Sequence, residues 1–124
     1  NCIAQRAVIT ALLESPSKIT YMVDEFKVRR DLILNLLNDI DGFNCNTPDG
    51  AFYVFPDISY FFGKTIDGYK INNASDMSLF LLDKALVATV TGDAFGDPNC
   101  IRISYAASQD QLIEAIKRIK KIVS

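Results

Sequence analysis

The feature that most constrains the fold is the order in which two kinds of apolar pattern alternate along the chain. Apolar residues recurring every three or four positions predict helices over residues 2–14, 17–42, 75–85 and 108–123. Short runs of β-forming residues lie between these segments, at residues 51–55, 87–90 and 100–104. Strand pairs separated by helices are typical of an α+β domain. We therefore predict two layers, with the helices packed on one face of a small, mainly antiparallel sheet.

The predicted helix ends carry local sequence signals. Pro16 ends the first helix, because the residue before a proline is pushed out of the helical region. Ser17 is the expected N-cap of the second helix and Gly42 its C-terminal stop, while Ser75 is the expected N-cap of the third. Ser108 stands three residues before a glutamine, which is the spacing of a capping box, and so predicts the start of the last helix.

Two segments between the second and third helices lack helical spacing. Residues 43–46 and 51–55 flank a turn-forming sequence at 47–50, which predicts an antiparallel hairpin. Residues 58–73 mix turn formers with aromatic side chains, so we predict an ordered surface loop whose rings pack against the domain. A binding surface built from the same rings is the alternative.

Composition excludes several classes of function. The 124 residues suffice for one domain, and their net charge of -2 provides no field that would attract a nucleic acid. The chain contains no histidine, which removes the commonest general base and metal ligand. Its three cysteines, Cys2, Cys45 and Cys100, are far apart and odd in number, so we expect reduced thiols and no metal site. Without a membrane span or a recognisable signal peptide, the sequence predicts a soluble, cytoplasmic protein with no membrane or nucleic-acid partner.

The glycine-containing segment at residues 92–97 invites comparison with phosphate-binding loops. It matches neither of the common nucleotide-binding glycine motifs, and it lies between two predicted strands rather than before a helix. Asp93 and Asp97 would also repel a phosphate group. We therefore predict a structural turn.

Arg102 is the residue whose pattern points most clearly to a ligand. Alternation along the strand at 100–104 puts Ile101 and Ile103 on one face and Arg102 with Ser104 on the other. A guanidinium fixed on a rigid strand can bind a carboxylate through two parallel hydrogen bonds. A solvated or ion-paired arginine on the surface is the alternative, because half-exposed strands often carry charged side chains.

Three segments together resemble one known family. They are Pro-Asp-Gly-Ala-Phe-Tyr-Val-Phe-Pro at 48–56, Val-Ala-Thr-Val-Thr-Gly-Asp-Ala-Phe-Gly at 87–96 and Ile-Arg-Ile-Ser-Tyr-Ala at 101–106. Their order and spacing are similar to those in the C-terminal part of fold-type I, pyridoxal-phosphate-dependent aminotransferases of class I/II, in the bacterial aspartate aminotransferase branch. Thr91 departs from the pattern, because the family usually has proline there.

The resemblance implies an activity and the residues that serve it. The activity is transfer of an amino group between an amino acid, such as aspartate, and a 2-oxo acid, by a cytoplasmic homodimer that uses pyridoxal 5'-phosphate. Arg102 would bind the substrate α-carboxylate, and Phe52 would line the substrate pocket. A core aromatic on the strand is the alternative for Phe52. The lysine that carries the cofactor belongs to a large domain upstream, so we expect no catalytic, cofactor-binding or metal-binding residue here, and no activity from this fragment alone. Residues 1–16 would be a helix connecting to that large domain, and residues 17–124 the small C-terminal domain.

A hypothesis from another class is a free-standing α+β module that binds an amino acid or a partner protein without catalysis. It requires the first helix to pack within this chain. The aminotransferase hypothesis instead expects that helix to lie against the large domain or a second subunit.

Overall fold

A computed structural model describes all residues from 1 to 124. The helices are α1 (Cys2–Leu13), α2 (Thr20–Asn38), α3 (Ala74–Phe80) and α4 (Gln109–Val123). The strands are β1 (Tyr53–Val54), β2 (Thr65–Ile66), β3 (Tyr69–Lys70), β4 (Val90–Thr91) and β5 (Ile101–Ser104). Single 3-10 turns lie at Pro16–Ile19, Ser59–Phe61 and Gly92–Phe95, and a π-helical turn at Leu81–Ala85 extends α3.

The main sheet has three strands in the order β1-β5-β4, so β5 is central, and both pairings are antiparallel. Tyr53 lies opposite Ser104, and Val90 lies opposite Arg102. Backbone hydrogen bonds continue the pairing of β1 with β5 over residues 52–58 and 99–105, with N–O distances of 2.8, 2.9 and 3.1 Å. Backbone hydrogen bonds thus hold β5 along its whole length on the β1 side, and β4 pairs with it on the other side. β2 and β3 form a separate hairpin.

The hydrophobic core lies between the main sheet and three of the helices. α2 packs on α4 and on β1, and α4 packs on the π-helical turn that follows α3. The largest fully buried side chains are Phe61, Phe80, Ile33, Leu37, Ile58, Ile71, Met77, Leu81, Ile101, Ile119 and Val54. Burying one such side chain contributes roughly 1.5–3 kcal/mol. The predicted α+β fold, with helices packed on one face of a small antiparallel sheet, is confirmed.

Two local predictions hold in detail. The side chain of Ser108 accepts a hydrogen bond from the Gln111 N–H at 3.3 Å, and Gln111 Oε1 accepts one from the Ser108 N–H at 3.2 Å. This capping box starts α4, as its sequence spacing predicts. Ile101 and Ile103 are buried in the core, as the alternation along the strand predicts.

The predicted hairpin between 43–46 and 51–55 is wrong. The only pairing between these parts of the chain is a single bridge from Asn44 to Asp57, and β1 pairs with β5 instead. The reason is burial, because the distant pairing puts the fully buried Val54 and Ile58 beside the isoleucines of β5.

The predicted starts of the second and third helices are also wrong. Ser15, not Ser17, caps the 3-10 turn that precedes α2, and α2 itself begins at Thr20. Asn73, not Ser75, caps α3 by accepting a hydrogen bond from the Asp76 N–H at 2.9 Å. In both cases two residues that favour the N-cap position stand two positions apart, and the sequence does not show which of them caps the helix.

The segment at 58–73 is an ordered loop that contains a 3-10 turn and the hairpin β2–β3, and the hairpin was not predicted. Phe61 is buried and Phe62 is half-buried, so these two rings pack against the domain as expected. Tyr60 packs only in part, since its side chain is 56% exposed although its ring meets that of Phe61 edge-on, with the centroids 5.2 Å apart. Only some of the aromatic rings of this loop are therefore buried in the hydrophobic core.

α1 forms where the sequence predicts it, but it has no buried residue. Ile3, Leu12 and Leu13 are each at least 80% exposed. Asn1 caps the helix by accepting hydrogen bonds from the backbone of residues 3 and 4. The apolar side chains of α1 thus have no partner within this chain. No helix in the fold combines the length and the apolar character needed to traverse a bilayer.

Candidate functional site

The two faces of β5 differ in what they carry. Its isoleucines point into the core, whereas Arg102 is half-buried and Ser104 is exposed on the opposite side. The pairing brings Tyr53 of β1 and Val90 of β4 to this same side, one on each flank of β5. We call these four residues the outer face. Arg102 is its only charged group and lies on the central strand.

The guanidinium of Arg102 lies beside two aromatic rings. Its central carbon is 4.6 Å from the centroid of the Phe95 ring and 5.4 Å from that of Tyr53. Arg102 takes part in none of the ion pairs within the chain, and the other arginines make all the side-chain hydrogen bonds from guanidinium groups. Arg102 therefore forms no ion pair within this chain, and a solvated arginine on the surface is the alternative that is left. Its N–H donors remain available to an oxygen ligand.

Phe95 reaches Arg102 from the 3-10 turn that connects β4 to β5. An added Cβ on Gly92 would lie 2.1 Å from the Asp97 carbonyl oxygen and 2.4 Å from that of Cys100, so only glycine allows the turn to close this tightly. The Gly92 N–H donates to the Cys100 carbonyl at 2.8 Å. The predicted structural turn is confirmed.

Thr91 stands just before this turn, where the resembling family usually has proline. Its φ of -59° is an angle that proline would also adopt. Its hydroxyl donates a hydrogen bond to Asp93 Oδ2 at 2.7 Å. The turn is therefore supported by a side-chain hydrogen bond in place of a proline ring.

Phe52 lies on the other side of the sheet from Arg102. It lines a groove of about 450 Å³ between the start of α2 and the loop before β1, together with Met22, Phe26 and Tyr105. Its ring is 54% exposed and meets the ring of Tyr53 edge-on, with the centroids 6.2 Å apart. The structure thus places the rings of the two candidate substrate-binding residues on opposite sides of the sheet, with the Tyr53 ring in contact with both.

Sequence reasoning missed Tyr53 and Phe95 as neighbours of Arg102. Both residues lie inside the segments that resemble the aminotransferases, and their place in those motifs is the one sequence signal that points to them. Their contact with Arg102 depends on the register of β1 against β5 and on the path of the turn. Neither can be read from local spacing.

The outer face offers no group that fits pyridoxal phosphate. Tyr53, Val90, Ser104 and the neighbouring Phe95 supply no amine for a covalent link to an aldehyde and no second cation for a phosphate. We therefore derive no chemical step through that cofactor from the residues of this chain.

Two of the three thiols, those of Cys45 and Cys100, are poorly suited to chemistry. Burial raises the pKa of Cys45 to about 11, and burial together with the nearby carboxylate of Asp97 raises the pKa of Cys100 to about 12. Both thiols are therefore protonated at neutral pH and are poor nucleophiles. All three cysteines are free, and no cluster of three or more Cys, Asp or Glu side chains is arranged to hold a metal ion. What the site can do is bind an anion at Arg102.

Comparison with known proteins gives a consistent result. The profile of the family described as aminotransferase class I and II matches residues 2–119. The chain is 46% identical to the bifunctional aspartate aminotransferase and glutamate/aspartate-prephenate aminotransferase of Petunia hybrida. That alignment of 125 residues covers 98% of this chain and 26% of the Petunia protein. It is 42% identical to the aspartate aminotransferase of Pinus pinaster, over 98% of this chain and 25% of that protein.

Solved structures agree with these relatives. The crystal structure of the aspartate aminotransferase from Rhizobium meliloti superposes with a TM-score of 0.92 at 40% identity, covering 98% of this chain and 30% of that one. The alanine aminotransferase from Pyrococcus furiosus superposes with a TM-score of 0.84 at 30% identity, covering 97% and 29%. The chain thus spans about a quarter to a third of the length of the proteins it matches. On the match over residues 2–119, the chain belongs to the class I and II aminotransferase family.

Proposed function

We propose that this chain is the small C-terminal domain of a pyridoxal-phosphate-dependent aminotransferase and that Arg102 binds the α-carboxylate of its amino-acid and 2-oxo-acid substrates. The proposed reaction is amino-group transfer between an amino acid such as aspartate and a 2-oxo acid. The observation that carries the proposal is Arg102 itself, a cation held on the central strand with no anionic partner in the chain.

The geometry around Arg102 suits recognition of a carboxylate. A guanidinium presents parallel N–H donors that match the two oxygens of a carboxylate, and a charge-assisted pair of this kind contributes about 1.5–3 kcal/mol. The rings of Tyr53 and Phe95 exclude water from part of the guanidinium, which strengthens its attraction for an anion. Because the carboxylate does not react, its binding energy is free to orient the substrate and to draw the two domains together over it.

The rest of the catalytic apparatus is proposed to lie outside these 124 residues. Pyridoxal phosphate supplies the electron sink of amino-group transfer in this family. Since the outer face does not fit that cofactor, we assign its lysine to the large domain and expect a homodimer in the full-length protein. Phe52 is proposed to border the substrate site through its contact with Tyr53.

We also propose that residues 1–16 connect to the large domain and that residues 17–124 form the domain proper. The exposed apolar side chains of α1 support this division, and they speak against the free-standing module, which needs α1 to pack within the chain. Deleting residues 1–14, which leaves the Ser15 cap of the 3-10 turn in place, is expected to change the free energy of unfolding by less than about 0.5 kcal/mol. The matched core variant Leu37→Ala, at a fully buried position, is expected to lose about 2–5 kcal/mol. A deletion as costly as the core variant would refute the division.

The experiment for Arg102 uses a hybrid enzyme in which this chain replaces the corresponding C-terminal segment of the Rhizobium meliloti aspartate aminotransferase, whose structure it matches with a TM-score of 0.92. We expect Arg102→Ala to raise KM for aspartate and for 2-oxoglutarate about 10-fold to 150-fold, the loss of one charge-assisted pair. Arg102→Lys keeps the charge but not the paired donors, and should recover only part of this loss. Arg118→Ala, at a solvent-exposed arginine paired with Glu114, is the control. An Arg102→Ala hybrid with unchanged KM would disprove the role of Arg102.

The assignment of the cofactor lysine to the large domain has its own test. The 124-residue chain is incubated with pyridoxal phosphate and then treated with borohydride, and the labelled lysines are mapped by mass spectrometry. We expect no single lysine to be labelled stoichiometrically. One stoichiometric label would place the cofactor site within this chain.

A further inference from the structure

We propose that Phe95 is a positioning residue: with Tyr53 it holds the Arg102 guanidinium in the orientation that receives a carboxylate. The inference rests on the proposed role of Arg102 and adds the residue that keeps its side chain in place. Phe95 does not touch the carboxylate in this proposal and acts only through Arg102.

The first argument is that Arg102 needs a support other than an anion. An arginine side chain that is ordered on a surface loses about 2 kcal/mol of rotamer entropy. Most arginines meet this cost with a carboxylate, as Arg29 does with Glu25 and Arg118 with Glu114. Arg102 has no such partner, and an internal carboxylate would compete with the substrate. The Phe95 ring, 4.6 Å away, attracts the cation without placing an oxygen acceptor beside it.

The second argument is that core packing does not account for Phe95. Its side chain is 43% exposed and is not part of the hydrophobic core cluster. Its neighbours are the rings of Tyr53 and Phe55, with centroids 6.4 and 6.2 Å away. A large aromatic side chain that this domain buries only in part, while it contacts a cation, is better explained by that contact than by packing within the domain.

The third argument is that the turn carrying Phe95 is held firmly. Gly92 allows the close approach of the chain to itself, and the Thr91 hydroxyl is bonded to Asp93. At the far side of the turn the Asn99 N–H donates to Asp97 Oδ1 at 2.9 Å. A ring on such a turn has a defined position relative to β5, so it can set the position of Arg102.

The first experiment measures the orientation of Arg102 in the 124-residue chain. In ¹⁵N-resolved NMR spectra, the Arg102 Nε–H proton is expected at a ring-current-shifted position. Phe95→Leu and Phe95→Met keep apolar bulk but remove the ring, and both should move this signal towards the ordinary arginine position. Phe95→Tyr should restore it. An Arg102 signal that is the same in the wild type and in both non-aromatic variants would overturn the inference, whatever the function of the protein.

The second experiment separates positioning from a merely structural role. In the hybrid enzyme, Phe95→Leu should raise KM for aspartate and 2-oxoglutarate about threefold to 30-fold, the range of one cation–π contact, while kcat changes much less. Phe95→Tyr should restore KM. The control is Tyr60→Leu, which removes an exposed ring from a distant loop and should leave KM unchanged.

The outcomes distinguish the two proposals. If Arg102→Ala leaves KM unchanged, the proposed function fails and the inference fails with it. If Arg102→Ala raises KM but Phe95→Leu does not, only the inference about Phe95 is overturned. A rise in KM with both variants, reversed by Phe95→Tyr, supports both.

Discussion

The hydroxyl of Tyr105 donates a hydrogen bond to the carbonyl oxygen of Ala51, 3.1 Å away, and so ties the loop before β1 to the residue that follows β5. Ala51 has a positive φ of 65°, which alanine adopts only at a cost of about 1–2 kcal/mol. The hydrogen bond is one of the contacts that keeps it there. Burial raises the pKa of Tyr105 above its ordinary value of about 10, so its hydroxyl keeps its proton and acts as a donor at neutral pH.

Tyr105→Phe tests this link. The variant keeps the ring, which packs near Phe26, and removes the donor, so the free energy of unfolding should fall by about 0.5–1.5 kcal/mol. Urea denaturation followed by circular dichroism measures the change. Tyr60→Phe, at an exposed tyrosine whose hydroxyl makes no hydrogen bond within the chain, is the control and should change stability by less than about 0.5 kcal/mol. Equal effects of the two variants would show that the Ala51 hydrogen bond contributes nothing.

Gly92→Ala tests the turn that carries Phe95. The added methyl group would meet two backbone oxygens at little more than 2 Å, and neither can move without breaking the turn. We expect a loss of about 1–3 kcal/mol in thermal or urea unfolding. Gly50→Ala is the matched control, because a Cβ there meets nothing within 4 Å, and it should be neutral or slightly stabilising. A tolerated Gly92→Ala would mean that the turn closes less tightly than described.

Leu86→Gly is expected to stabilise the domain. Leu86 ends the π-helical turn in the left-handed region, with φ 56° and ψ 38°, and its side chain is 74% exposed. Glycine adopts this conformation without the clash of a Cβ, so the free energy of unfolding should rise by about 0.5–1 kcal/mol. Leu79→Gly, at an exposed position within α3, should instead lose about 1 kcal/mol. The same sign for both variants would contradict the assignment of the left-handed position.

Asp76 predicts a defined dependence of stability on pH. Its carboxylate accepts hydrogen bonds from the Asn72 backbone N–H and side-chain amide, each at 2.9 Å, and these hold the pKa of Asp76 below its ordinary value of 3.8. Because the folded pKa is the lower one, the stabilisation is complete above the unfolded pKa and disappears as the pH falls through the folded pKa.

The difference in stability between the wild type and Asp76→Asn should therefore be constant from pH 7 down to about pH 5 and shrink steadily as the pH falls through the unfolded and then the folded pKa of Asp76. Denaturation of both proteins across this range measures it. Asp110→Asn is the control, since Asp110 also lies in the first turn of a helix but its carboxylate accepts no hydrogen bond within the chain. A difference that grows on acidification would contradict the sign.

Much of this protein is determined by its sequence alone, where the deciding interactions are local. The isoleucines of β5 face the core and Arg102 faces away because successive side chains of any strand alternate. The capping box at Ser108 starts α4 because its two hydrogen bonds join residues three positions apart. The family resemblance likewise rests on contiguous segments, and the match over residues 2–119 confirms it.

The tertiary structure alone decided what surrounds Arg102. Nothing local distinguishes a hairpin at 43–55 from pairing of β1 with β5, and burial of Val54 and Ile58 across some 50 residues selects the second. That choice brings Tyr53 to Arg102 and sends Phe52 to the opposite side of the sheet. The turn after β4 then adds Phe95. The position of a residue within a strand determines which face of the sheet its side chain takes. The pairing of distant strands determines which other side chains lie beside it, and a binding site depends on those contacts.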